Sequence, residues 1–223
     1  MDKIENVLKA SFIIWNKLSD NEKNSLINYS KIISYKKGDI IHKGDLTCLG
    51  LIIVVDGSLR AYLSSENGKQ ITLYRLYNND ICLFTASCIM KDINFEIYLE
   101  CLEDTNVLLI PTDNYKNILD NSHIISSYIN KILSSRFSDM MWIFEQFVFK
   151  SLDTRLADYL LNQEYNNNII NITHEKIANE LGTAREVVSR ILKYFEKENI
   201  VKLGRNKITI INDKKLKEIS YKE

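Results

Sequence analysis

The stretch Thr173–Val201, THEKIANELGTAREVVSRILKYFEKENIV, decides how the chain is read. Counted from His174, a small residue falls at the fifth place (Ala178), glycine at the ninth (Gly182), and β-branched apolar residues at the fifteenth and eighteenth (Val188 and Ile191). Each has a steric task in a helix-turn-helix. Ala178 lets two helices approach closely, Gly182 supplies the left-handed residue of a sharp turn, and Val188 with Ile191 packs the second helix on the first. Thr173, ahead of Glu175 and Lys176, suits the cap of the first helix.

With Val187, Val188, Ile191 and Leu192 turned inward or sideways, helical geometry sends Arg185, Glu186, Ser189 and Arg190 to the opposite side of the N-terminal turns. Those turns are the ones a recognition helix inserts into the major groove. There an arginine donates two bonds to guanine O6 and N7, and a glutamate accepts from cytosine N4. Thr183, in the turn, joins this set. Lys193, Thr173, Arg205 and Lys207 are expected on phosphates, the last two at the tip of a hairpin formed by KLGRNKITII, where they would fix register without reading bases. His174 is expected to be solvated.

Working outward, NIINI before Thr173 reads as a strand, so the C-terminal segment runs strand, helix, turn, helix, hairpin. From about Ile32 to Ile110 short apolar runs alternate with turn residues, and Asp56-Gly57 and Asn67-Gly68 are hairpin turns flanked by β-branched and aromatic residues, the pattern of a sandwich or roll. The first thirty residues read as helical and pack on its side. After Pro111, the single proline, a helical signal runs without interruption to about Tyr165. Within it Leu133, Phe137, Met140, Phe144 and Phe147 recur at intervals of four and three, a seam that suits a partner helix in a homodimer. Asp153-Thr154 suits the cap of a fresh helix, and residues 148–153 read as a hinge. The expected organisation is α+β: a β-roll sensor domain over 1–120, a dimerisation helix and hinge over 121–150, and a winged helix-turn-helix over 151–223.

The bulk composition fits this division. The chain has 223 residues, 45% of them hydrophobic and 26% charged, enough for two cores. No apolar run reaches the roughly 18 residues that span a bilayer, and the N-terminus lacks the basic segment and cleavage site of a secretory signal, which places the protein in the cytoplasm with no membrane partner. Cys48, Cys82, Cys88 and Cys101 show neither a CxxC pair nor a disulfide framework. Net charge is zero overall, but residues 151–223 carry 13 Lys and Arg against 11 Asp and Glu. A local basic face matters more for nucleic acid than this total.

The segments KKGDIIHKGD, VVDGSLRAYLSSENGKQITLYRL and the NND turn at Asn78–Asp80, together with TAREVVSRILKYFEKENIV and its following hairpin, resemble the CRP/FNR family of bacterial transcription regulators over nearly the whole chain. The resemblance implies an effector-binding β-roll like that of cyclic-nucleotide-binding domains, a long dimerisation helix and a winged helix-turn-helix. It maps the DNA-reading positions onto Arg185, Glu186, Ser189 and Arg190. Glu186-x-x-Ser189-Arg190 is similar to the FNR branch and Arg185 to the cyclic-AMP branch, which implies a palindromic double-stranded operator with TGA-like half-sites. RNA polymerase is a further partner that the family implies.

The effector segment departs from the family pattern. Where cyclic-nucleotide members carry a Gly-Glu turn and then an Arg-Ser or Arg-Ala pair, this chain has Asn79-Asp80, and no arginine stands around Asn94–Glu96. A buried phosphate beside Glu96 would be an uncompensated anion, costing several kcal/mol, which argues against cyclic AMP. No cofactor is identifiable. Asp80, Cys82, Thr85, Ser87, Cys88 and Phe95 are the candidate pocket residues. Alternatives are a Cys82–Cys88 thiol switch, or haem held by His42, His123, Met90 or a cysteine. A β-roll metal enzyme is disfavoured by three scattered histidines and the absence of a phosphate loop or nucleophile elbow, so no catalytic or metal-binding residue is assigned. A protein-binding adaptor is the other alternative, separable by the salt dependence of DNA affinity.

Overall fold

The computed structural model describes all residues except 1, 44–48, 67, 83–96, 164–167 and 222–223. It separates into two compact units, one of residues 1–63 with 73–139 and one of 64–72 with 140–223.

In the first unit, the strands divide between two four-stranded antiparallel sheets. One has the order β1 (Lys31–Tyr35), β8 (Thr105–Pro111), β3 (Gly50–Asp56), β6 (Ile81–Cys82). The other has β2 (Ile40–Lys43), β7 (Tyr98–Cys101), β4 (Leu59–Ser64), β5 (Gln70–Leu76). These are the two layers of a roll, as the short alternating runs imply. Asp56-Gly57 joins β3 to β4 with Gly57 at φ +100°, and a Cβ there would stand 2.8 Å from the Asp104 carbonyl oxygen. Only glycine fits both the backbone angle and the space.

The first sheet is covered by α1 (Asp2–Ser11) and α2 (Asp20–Tyr29), by α3 (Thr112–Asn121) and by the start of α4 (His123–Phe149). Leu8, Phe12, Leu26, Leu51, Ile53, Leu108, Ile110 and Ile125 are fully buried between these layers. α2 begins with a reciprocal capping box: Ser19 Oγ accepts from the Glu22 amide, and the Glu22 carboxylate accepts from the Ser19 amide.

The helical run after Pro111 is broken, contrary to expectation. Ser122 adopts extended backbone and its hydroxyl oxygen caps α4 by accepting from the Ile125 amide, while its O–H donates to Glu22 of α2. α4 ends at Phe149 and α5 (Leu152–Leu161) begins two residues after Lys150, within the expected hinge. The cap of α5 is also displaced from expectation. Ser151 occupies the cap position, and Asp153 and Thr154 lie inside the first turn, where both meet the Ser151 hydroxyl.

The second unit holds a three-stranded sheet, β10 (Val201–Gly204), β11 (Lys207–Ile210), β9 (Ile169–Ile170), with α5, α6 (His174–Leu181), α7 (Arg185–Lys197) and α8 (Asp213–Ser220). Leu156, Ala157, Leu160, Ile177, Val188, Leu192, Phe195, Ile200, Val201, Ile208 and Leu216 are wholly buried and form its own core. Each unit therefore encloses apolar side chains enough to stand as a folded body.

Candidate nucleic-acid interface

Thr173 caps α6, its hydroxyl accepting from the Lys176 amide at 3.1 Å. Gly182 ends α6 in the left-handed conformation, φ +63° and ψ 39°, and the Thr183 amide bonds back to the Ala178 carbonyl at 3.0 Å. Ala178 is 1% exposed at the helix crossing, where a larger side chain would hold α6 and α7 apart. The turn is therefore closed by the residues that its steric demands select.

α7 is anchored along one stripe, Val188, Leu192 and Phe195, all fully buried. Phe195 was not singled out from sequence, although its i+7 spacing from Val188 marks it. Ile191, expected inside, is half-buried at the edge. The opposite face of the first turns is solvent-facing: Arg185, Glu186, Arg190 and Lys193 are exposed, Ser189 is half-buried, and the five line a single open concavity. Thr183, in the turn before α7, is half-buried. The N-terminus of α7 carries no side-chain cap, so its first amides stay available beside this concavity.

His174 is more than a solvated surface group. Its Nδ1 lies 2.8 Å from Ser189 Oγ across the α6–α7 crossing. Burial, then the positive charge of Arg185, holds its pKa below the ordinary histidine range. The hairpin β10–β11 turns at Arg205-Asn206, with Asn206 at φ +54°, and Arg205 and Lys207 are exposed at its tip. The hairpin is fixed to α7 by the Leu203 amide, which donates to Glu196 at 2.8 Å.

The exposed apolar stripe of α4 differs in part from the expected seam. Phe137 and Phe144 are about 60% exposed, but Leu133 packs on the first unit's core and Phe147 lies under the Arg155 guanidinium, 4.1 Å from its ring centroid. Met140 is half-buried. Outward at heptad spacing stand Phe137, Met141, Phe144 and Val148, with Trp142 and Phe149 exposed beside them.

In the roll, Asp80 closes a turn by accepting from the Tyr77 amide at 2.9 Å, next to Asn79 at φ +71°. Cys82 is buried, 4.0 Å from the Tyr74 hydroxyl, and the Arg136 guanidinium of α4 sits 4.8 Å above the Tyr74 ring. Thr85, Ser87, Cys88, Met90, Phe95 and the segment Asn94–Glu96 lie outside the described residues. His42 is buried in β2, and His123 opens α4 beside Ser127. Among the described residues no three His, Cys, Asp or Glu side chains gather as a metal site, and no helix is long and apolar enough to cross a membrane. A half-buried ion pair unforeseen from sequence joins neighbouring strands: Arg60 contacts Glu100 at 3.4 Å and stacks 4.5 Å above Tyr62. Its partners are forty residues apart, so only the strand register brings them opposite.

Comparisons with known proteins agree with this arrangement. Residues 32–122 match the cyclic nucleotide-binding domain model and residues 154–219 the Crp-like helix-turn-helix domain model. A crystal structure from Eubacterium rectale, described as a transcriptional regulator of the crp/fnr family, is 44% identical, covers 95% of this chain and 99% of its own, and superposes with a TM-score of 0.87. The cyclic AMP receptor protein of Thermus thermophilus is 24% identical over 92% of this chain and 94% of its own. The fumarate and nitrate reduction regulatory protein of Yersinia pestis is 25% identical over 83% of this chain and 76% of its own. With a roll, a helix-turn-helix whose second helix keeps an open polar face, and a relative this similar over nearly its full length, the chain belongs to the CRP/FNR family of transcription regulators.

Proposed function

We propose that the protein works as a homodimer that reads a palindromic operator with α7, and that the state of its roll sets the separation of the two reading helices. The observation that carries this reading is the exposed face of Arg185, Glu186, Ser189, Arg190 and Lys193, supported from beneath by the buried stripe Val188, Leu192 and Phe195. Arg185 and Arg190 suit guanine edges, and Glu186 suits cytosine N4. Lys193, Arg205 and Lys207 suit phosphates, with Thr173 and Thr183 adding neutral donors. Twofold symmetry then places half-sites one helical turn apart, roughly 34 Å.

The stripe Phe137, Met141, Phe144 and Val148 supports a dimer along α4, since soluble monomers rarely expose contiguous apolar area of this kind. Within the first unit, contacts run from Cys82, at the end of β6, through Tyr74 to Arg136 on α4. They offer a route by which a change in the segment after β6 biases the dimer helix, an equilibrium between two arrangements. The signal is assigned to a ligand other than cyclic AMP. Cyclic AMP, haem and a thiol switch are told apart by binding assays and by an absorbance spectrum with and without reductant. A cytoplasmic location follows from this role.

The test is titration of the purified protein with a duplex selected from a random library, at several salt concentrations. Six lysine and arginine contacts to phosphate per dimer predict a log-log slope of about −5. Binding that does not weaken with salt, or no selected sequence, overturns the reading.

A further inference from the structure

His174 and Ser189 meet across the α6–α7 crossing, one from a helix that supports and the other from the face that reads. We propose that His174 is a positioning residue for base readout: it sets whether Ser189 offers the major groove a hydrogen-bond acceptor or a donor. The inference rests on the reading face assigned above.

A serine hydroxyl has one proton and two lone pairs, and the partner at its back determines what is left for its front. When the ring is neutral with its proton on Nε2, Nδ1 accepts the Ser189 O–H over the 2.8 Å contact. The hydroxyl oxygen then faces the groove as an acceptor, suited to adenine N6 or cytosine N4. When solvent protonates Nδ1, the ring becomes the donor and Ser189 rotates its O–H free. It then suits guanine O6 or N7, or thymine O4. One proton taken up at Nδ1 thus reverses the sense of a neighbouring contact.

The surroundings of the ring set the direction of the change. The charged group whose field acts on it from α7 is Arg185, a cation, and its neighbours on its own helix are Glu175 and Lys176. α5 also packs on α6, but there Arg155 donates to the Leu181 carbonyl at the other end of the helix. Burial and Arg185 both favour the neutral ring. With the neutral ring's proton on Nε2, Ser189 is held as an acceptor, and the donor state grows as pH falls. Binding of polyanionic DNA favours the protonated ring, so uptake of the proton is linked to binding.

The experiment is selection from a duplex library randomised across the half-site, at pH 7.5 and pH 5.5, with the wild-type chain, His174→Ala, His174→Asn and Ser189→Ala. In the wild type, preference at one position per half-site should shift by roughly fivefold between the two pH values, the worth of one net hydrogen bond. His174→Ala should relax preference at that position and lose the shift. His174→Asn keeps a non-titrating amide near the place of Nδ1, so it should hold one preference at both pH values. Ser189→Ala should lose the shift as well. Identical preferences and identical pH dependence for wild type and His174→Ala overturn the role of His174 while leaving DNA reading intact. Failure of the wild type to select any sequence overturns DNA reading and this role with it.

Discussion

Replacing Phe144 by glutamate tests the proposed assembly most directly, because this ring lies on α4 away from either core. It is 61% exposed. An aromatic side chain carries on the order of 200 Å² of burial, so about 120 Å² remains to be covered by a partner. At about 25 cal/mol per Å² that is about 3 kcal/mol, and a twofold axis counts it twice, giving about 6 kcal/mol. Glutamate removes this gain and places two like charges near one another across the axis, so the dimer dissociation constant should rise by about four orders of magnitude. Sedimentation equilibrium from nanomolar to high micromolar protein reads the shift. Helix content and the denaturant midpoint of dilute monomer should stay as in the wild type, since no core contact is lost. A variant that dimerises in the same concentration range as the wild type would refute the assignment of this stripe as the interface.

Substitutions in the second unit should divide by role. Arg185→Ala and Arg190→Ala should each cost about 1–3 kcal/mol in operator affinity and blur preference at one base pair, whereas Lys207→Ala should weaken all duplexes alike and lower the salt slope by about 1. Equal, sequence-blind losses in competition binding for all three would remove the readout assigned to α7. Cys101 is buried in β7, and burial, then the charge of Asp39, pushes its thiol up to about 11. It should stay protonated at pH 8 and react with iodoacetamide only as fast as the roll unfolds, and rapid labelling of native protein, located by mass spectrometry, would contradict this.

The helix-turn-helix was legible because its positions answer to local sterics. Gly182 is left-handed and Ala178 is buried whatever surrounds the pair, so spacing alone locates them. The roll was legible from turn residues such as Asp56-Gly57. The outward stripe of α4 was only half legible, for a physical reason. Met140 to Phe144 reads MMWIF, apolar on every side, so periodicity does not decide which residues face out. That choice is made by neighbours distant in sequence: the first core holds Leu133, and Arg155 holds Phe147, which leaves Met141 and Val148 on the outer line. The break before α4 had a local signal in Ser122, a capping residue, but its second bond to Glu22 exists only in the fold. The Arg60–Glu100 pair had no local signal at all. Asp80, a pocket candidate from sequence, turns its carboxylate to the Tyr77 amide.

The exposed stripe of α4 and the polar face of α7 are proposed for different tasks, yet one measurement joins them. The Phe144→Glu chain keeps Arg185, Glu186, Ser189 and Arg190 in place on the buried stripe of α7, so each monomer should still bind a half-site through the same groups. What it loses is the tether that turns the second half-site encounter into an intramolecular step. That tether contributes a factor of about 10² to 10⁴ when the geometry of the two sites matches. The deficit of Phe144→Glu on a full palindrome, relative to an isolated half-site, therefore measures how well the dimer holds two α7 helices at the operator's spacing. Should insertion of half a helical turn between half-sites erase the wild-type advantage, the spacing is built into the dimer. An advantage that survives the insertion would show that the two reading units swing independently, and the proposed control through helix separation would fall.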